Sequence, residues 1–241
     1  MAEKGSLRLV NVPAMIIEIL ATTGFTDIMD IEPQPRQVSV TGLACIARGV
    51  TGECYRVDDE TLLKLYFEHV DQSMAQREKA FARAAFVAGL PTAISFDIVA
   101  CGARRGILYE MLNARTLSQL IVENPDRLEE YVKTFADVCR LIHDTKGDSR
   151  VFARTKDACV SAIRTVDFID EGQRRIILDK VREIPDADTC VHGDLHTSNI
   201  LMQSGEPRLI DLGDFSLGHG MFDVGQIYNI FYCSRQTHIS E

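Results

Sequence analysis

No run of about eighteen apolar residues occurs in this chain, so nothing in it is expected to span a membrane. The start, Met1-Ala2-Glu3-Lys4-Gly5-Ser6-Leu7-Arg8, lacks an apolar segment behind a basic one, so no signal peptide is expected. The seven cysteines form no C-x-x-C pair, their number is odd, and several sit inside apolar runs. They read as reduced thiols filling core space in a cytoplasm. Positive charge is in deficit: 26 Lys and Arg against 35 Asp and Glu leave a formal net charge of −9. That argues against a nucleic-acid surface and suits a neutral or cationic small partner. What remains is ordinary globular composition, 46% hydrophobic and 25% charged over 241 residues, enough for one large domain or two lobes.

The stretch Cys190-Val191-His192-Gly193-Asp194-Leu195-His196-Thr197-Ser198-Asn199-Ile200-Leu201 carries the chemistry. A short apolar entry leads into a polar loop, and a second apolar strand then delivers Asp211 in Leu209-Ile210-Asp211-Leu212-Gly213-Asp214. Carboxylate, amide, then a second carboxylate is the order that magnesium-dependent phosphoryl transfer needs. One carboxylate faces the attacking hydroxyl, while the amide and the other carboxylate hold metal on nucleotide phosphates.

The preceding chain tests that idea. A strand over Leu7–Val10 is followed by an apolar helix from Pro13 that Gly24 ends. From Gln37 the pattern predicts strands over Val38–Ala47, Cys54–Val57 and Thr61–Phe67, with a glycine turn, Arg48–Glu53, between the first two. Lys64 is the single charge among Leu62, Leu63, Leu65, Tyr66 and Phe67, and an unpaired ammonium in such a strand is costly. A helix over Ser73–Ala88 places Glu78 on its apolar stripe, where carboxylates are rare. Lys64 and Glu78 therefore explain each other as an ion pair that aims the lysine at phosphates. Strands at Ile94–Cys101 and Ile107–Leu112 lead through Tyr109-Glu110-Met111-Leu112-Asn113 into helices at Leu117–Glu123 (capped by Thr116), Arg127–Asp144, Thr155–Phe168 and Glu171–Glu183. In the long helix Leu128, Tyr131, Val132, Phe135, Val138, Cys139 and Ile142 are expected inward, and His143 is read as a complement to its C-terminal dipole.

On His192-Gly193-Asp194-Leu195-His196 with Asn199, Ile210-Asp211, and Gly218-His219-Gly220-Met221-Phe222-Asp223, the sequence resembles the aminoglycoside phosphotransferase and choline kinase superfamily. Within it, the ending Ile210-Asp211-Leu212-Gly213-Asp214 looks most like bacterial sugar kinases of unassigned substrate. The likeness covers about Val38 to Phe231 and implies an α+β, bilobal, protein-kinase-like fold. An extension would span 1–35, a small sheet lobe 36–112, and a helical lobe 113–241. It implies an ATP- and Mg²⁺-dependent kinase acting on a small-molecule hydroxyl, on a sugar or aminoglycoside-like acceptor first, on choline or homoserine next. Asp194 would accept or orient the hydroxyl proton, and Asn199 and Asp211 would hold the metal. Lys64, oriented by Glu78, would meet the α/β-phosphates, with Gly49, Val50, Thr51 and Gly52 covering them. Glu110 and Leu112 would meet adenine through their backbone. His192 and His196 are read as loop supports, Asp223 as a buried brace, and Asp214 as a metal assistant or a cap.

The first thirty or so residues resemble the end of a STAS domain, the fold of anti-sigma-factor antagonists. That suggests a regulatory protein partner for the N-terminal segment, and a competing reading of the whole chain as a degenerate, nucleotide-binding regulatory module. The resemblance also marks a departure. Relatives continue well past the position of Asp223 with further helices, whereas the end here, Tyr232–Glu241, is polar and without a helical stripe. The chain is either short by nature or truncated, which bears on the acceptor pocket.

Overall fold

The computed structural model describes residues 7–233. The residues 234–241 of the expected polar end lie outside the described residues.

Strand β1 (Arg8–Val12) and helix α1 (Ala14–Thr22) lead to β2 (Asp30–Pro33), which pairs parallel to β1. Gly24, at φ +74°, breaks the chain after α1 in the left-handed region open to glycine. A six-stranded sheet follows, built from β3 (Arg36–Gln37), β4 (Ala44–Arg48), β5 (Gly52–Arg56) and β6 (Thr61–Tyr66). Helix α2 (Met74–Val87) then intervenes, and β7 (Ser95–Cys101) and β8 (Arg104–Glu110) complete the sheet in the order β3-β7-β8-β6-β5-β4.

The expected strand over Val38–Ala47 is met only from Ala44 onward, and the part before it is a break. Val38 continues along β7 through its N–H to the Ala100 carbonyl at 2.8 Å, and the chain reverses at Leu43 N–H to Val40 O and at Gly42, φ +82°. Only then does β4 begin, at Ala44. Side-chain alternation splits the sheet into two faces. Leu63, Leu65, Val99 and Leu108 cluster on one face with Val38, Val40 and Tyr55. Leu62, Tyr66, Ile107 and Tyr109 face α2 and the rest of the molecule on the other.

The chain leaves the sheet through β9 (Arg115–Thr116) into α3 (Leu117–Glu123), α4 (Leu128–Asp144), α5 (Thr155–Thr165) and α6 (Glu171–Glu183). Thr116 caps α3 in a reciprocal capping box with Gln119, both bonds 3.0 Å. In α4, Tyr131, Val138 and Ile142 are buried, but Leu128 and Val132 are about half exposed rather than inward. The apolar stripe there is wider than the surface that covers it.

Three short pairings then shape the site. Strand β10 (Cys190–Val191) opens it, and β11 (Ile200–Gln203) forms a hairpin with β12 (Glu206–Leu209) that also joins β9. Strand β13 (Ser216–Leu217) returns antiparallel to β10, and α7 (Met221–Tyr228) follows, running on as a π-turn over Asn229–Cys233. Leu209 bonds back to the Pro91 carbonyl at 2.7 Å, tying this hairpin to the segment after α2. Among the described residues no helix is long and apolar enough to cross a membrane.

Candidate active site

Strand β6 presents Lys64 on the same face as Tyr66, because side chains two apart share a face. The Lys64 Nζ donates to both Glu78 oxygens, at 2.9 and 2.8 Å, and Glu78 lies buried on α2. The hydroxyl of Tyr66 also donates to Glu78, and Tyr109 donates to its other oxygen at 2.8 Å. Four donor contacts thus satisfy a carboxylate that would be untenable alone in this core. Neither tyrosine stood out in the sequence; the signal present was Tyr66 two residues beyond Lys64. Burial, then the Glu78 charge, pushes both phenols far above their ordinary range, so they stay neutral donors.

Lys64 reaches further, to Asp211 Oδ1 at 2.8 Å. Burial works against its ammonium, but Glu78 and Asp211 outweigh that and hold it above the usual lysine range. Asp211 itself sits at φ +60°, ψ +59°, a left-handed conformation that a short polar side chain tolerates at some cost. This bend turns the chain from β12 toward β13.

The loop from β10 carries the remaining residues. His192 is fully buried, with Nε2 3.2 Å from the Ile210 carbonyl and Nδ1 accepting the Asp194 N–H at 3.3 Å. Burial lowers its basicity, so it holds the loop as a neutral imidazole. The Asp194 carboxylate is partly open to solvent. Its Oδ2 has the Asn199 Nδ2 at 3.3 Å and the His196 Nε2 at 3.6 Å; its Oδ1 accepts from the Gln226 Nε2 at 3.2 Å. The His196 imidazole, more than burial opposes it, holds this carboxyl below the usual carboxylate range. His196 also caps the 3-10 turn 197–199 through the Ser198 N–H at 3.2 Å. Asn199, itself buried, gives a second bond from Nδ2 to the Asp194 carbonyl at 2.9 Å, so its amide nitrogen is the atom turned to the loop. Asp194, Asn199, Asp211 and Lys64 thus converge, 147 residues of chain separating the last two.

Asp223, wholly buried on α7, accepts the backbone N–H groups of His192 and Gly193, both at 2.9 Å. His143 Nε2 lies 2.9 Å from its Oδ2. His143 is therefore the side-chain partner of Asp223 and not merely a dipole complement at the end of α4. Asp214 ends the turn after Asp211 and accepts no hydrogen bond among the described residues, so it caps nothing there; burial raises its carboxyl above the ordinary range.

Gly193 has φ +84°, and a Cβ there would stand 2.4 Å from the Asp214 carbonyl oxygen. The pairing of β10 with β13 forces this contact. Gly193→Ala is expected to cost about 1–3 kcal/mol from backbone strain alone, read as a lower denaturation midpoint at unchanged m.

At the roof, Gly52 is buried in β5, where a Cβ would lie 2.5 Å from the Leu65 carbonyl oxygen. That glycine serves strand packing, and the exposed tip is Gly49-Val50-Thr51, closed by Gly49 N–H to Gly52 O at 2.9 Å. At the link into the helices, the N–H of Glu110 bonds Ile94 O at 2.9 Å and that of Met111 bonds Glu60 O at 2.8 Å. The Leu112 N–H has no such partner among the described residues and borders a cavity of about 280 Å³ lined by Arg56 and residues 111–115.

A lysine–glutamate pair on a small sheet and helix, joined to an Asp–Asn loop and a second aspartate, defines a protein-kinase-like phosphotransferase scaffold. Residues 44–238 match the phosphotransferase enzyme family APH, and the chain belongs to it. No curated protein matches. Among solved structures, a thermostable mutant of aminoglycoside phosphotransferase APH(4)-Ia in ternary complex with ADP and hygromycin B is similar with 17% identity and TM-score 0.58, over 79% of this chain and 73% of that one. Amicoumacin kinase hAmiN, in complex with AMP-PNP, Ca²⁺ and Ami, is similar with 16% identity and TM-score 0.51, over 89% and 69%. A choline/ethanolamine kinase family protein from Mesorhizobium loti reaches 16% identity and TM-score 0.50 over 77% of this chain and 63% of that one. The fold is the α+β, bilobal, protein-kinase-like one that the resemblance implied.

Proposed function

We propose that this protein is an ATP- and Mg²⁺-dependent kinase that phosphorylates a hydroxyl of a small molecule, with a sugar or amino-sugar as the first-choice acceptor. The observation that carries this reading is the convergence of Asp194, Asn199 and the Lys64–Asp211 pair on one site. The donor set suits the cation: the Oδ1 of Asn199, whose Nδ2 is the atom spent on Asp194, and the Asp211 oxygen not engaged by Lys64 are hard oxygen ligands, the kind Mg²⁺ prefers. Bound there, the metal would neutralise charge on the nucleotide phosphates.

The residues themselves do the positioning. Lys64, held by Glu78, presents a fixed ammonium to the α/β-phosphates. The tip at 49–51 covers them, and the free Leu112 N–H is the donor for the adenine edge. Nucleotide then lies between the small lobe, 36–112, and the helical lobe, 113–241. Asp194, ionised at neutral pH, takes the hydrogen bond of the incoming hydroxyl and orients its oxygen in line. Asp223 braces the loop that carries it.

ADP release would be measured with Mg²⁺ over sugars, aminoglycosides, choline and homoserine. Acceptor-dependent turnover supports the reading. Nucleotide binding without turnover on any acceptor would replace it with a regulatory module, and no ATP-dependent thermal shift would sink both.

A further inference from the structure

Helix α7 carries Asp223 inward to the loop backbone, and Gln226, three residues on, lies on the same helix face one turn later. Its Nε2 is 3.2 Å from Asp194 Oδ1. The amide must turn its nitrogen to the carboxylate, because its oxygen would be repelled there, so Gln226 Oε1 points away. An ionised carboxylate offers about four lone-pair sites. On Oδ2 the Asn199 Nδ2 occupies one at 3.3 Å, and the His196 Nε2 stands nearby at 3.6 Å, beyond hydrogen-bond reach. On Oδ1 Gln226 fills one. With one site on each oxygen taken by a side-chain amide, Oδ1 keeps an open site beside the Gln226 amide, and Asp194 is 37% exposed, so solvent reaches this carboxylate.

We propose that Gln226 is a positioning residue of the acceptor site, its amide N–H holding Asp194 so that the open side of Oδ1 faces the incoming hydroxyl. The inference rests on the kinase reading. Without the amide, the carboxylate turns about its own bond and spends less time with an oxygen in line. On the kinase reading the nucleotide is held by Lys64, Asp211 and residues 49–51, none of which Gln226 hydrogen-bonds, so the effect belongs to kcat and not to the KM for ATP.

Two measurements test it. In the nucleotide-free protein, the side-chain amide ¹⁵N–¹H signals of Gln226, identified by their loss in Gln226→Leu, should move in Asp194→Asn. With ATP as substrate and water as acceptor, Gln226→Leu should lower kcat about ten-fold, the effect of one hydrogen bond, with KM for ATP unchanged. Gln226→Glu should lower it further, since a second carboxylate is set against Asp194. In an Asp194→Asn background, Gln226→Leu should cost nothing more, as coupled residues are not additive. Wild-type kcat in a folded Gln226→Leu that still binds ADP overturns the proposal, and so do amide signals indifferent to Asp194→Asn. A wild type that turns over no ATP with water or any acceptor overturns the kinase reading itself, a different result from a turning-over wild type matched by its Gln226 variants.

Discussion

Asp194→Asn should lower phosphoryl transfer by about 10²–10⁴-fold, the range for a positioned general base, while nucleotide affinity stays near wild type. Asparagine keeps the shape of the side chain but presents an amide nitrogen where a carboxylate oxygen faces the hydroxyl. Its contacts to Asn199 and Gln226 change sign in part, because both now meet a weaker or wrong acceptor. Lys64, Glu78 and Asp211 are untouched, so ATP still docks. The pH profile gives the sign independently. The His196 imidazole holds the Asp194 carboxyl below the usual range, so turnover should stay flat through neutrality and fall only as pH drops through that depressed value. His196→Ala should shift this acid limb upward. The same sign applies to stability. Whatever the ionised Asp194 adds is present above its unfolded pKa and is lost as pH falls through the folded one. Initial rates against pH for the three proteins decide it: an unshifted limb in His196→Ala would detach the histidine from the carboxylate.

The second large effect is on folding. Asp223→Ala should destabilise the protein by about 3–5 kcal/mol, since it strips one buried and one part-buried backbone N–H of their acceptor, each costing about 1–3 kcal/mol, and leaves His143 unpaired. Asp223 and His192 are both 0% exposed, so solvent does not reach the acceptor position to replace the bond to His192. Asp223→Asn keeps one oxygen and should lose about half as much. Urea denaturation at unchanged m gives the numbers. A loss under about 1 kcal/mol for the alanine variant, the cost of an ordinary exposed hydrogen bond, would show that the loop holds its shape without this brace.

The residues legible in the sequence share a property: each broke a local pattern. Lys64 was a charge inside an apolar strand, Glu78 a carboxylate on an apolar helix stripe, and Asp223 an acid between Phe222 and Val224. Periods of 2 and 3.6 expose such breaks without any knowledge of the fold. Residues that obey the local pattern stayed hidden. Tyr66 and Tyr109 are ordinary strand aromatics, Gln226 an ordinary polar helix residue, and His143 an ordinary helix-end base, until their partners arrive from elsewhere in the chain. The misplaced start of β4 has the same origin: the alternation at Val38 and Val40 is real, but it packs a connecting segment on the outer sheet face and extends no strand.

By itself, then, the sequence determined the family to which this protein belongs, through acid, amide and acid in that order with a lysine that demands a partner. The tertiary structure alone decided who holds each group in place. Glu78 is fixed by two tyrosines from neighbouring strands, Asp223 by a histidine 80 residues before it, and Asp194 by a glutamine 32 residues after it. Periodicity can say that a side chain points inward, but only the packing of distant elements brings a donor within 3 Å or so of an acceptor, and hydrogen bonds weaken steeply beyond that reach.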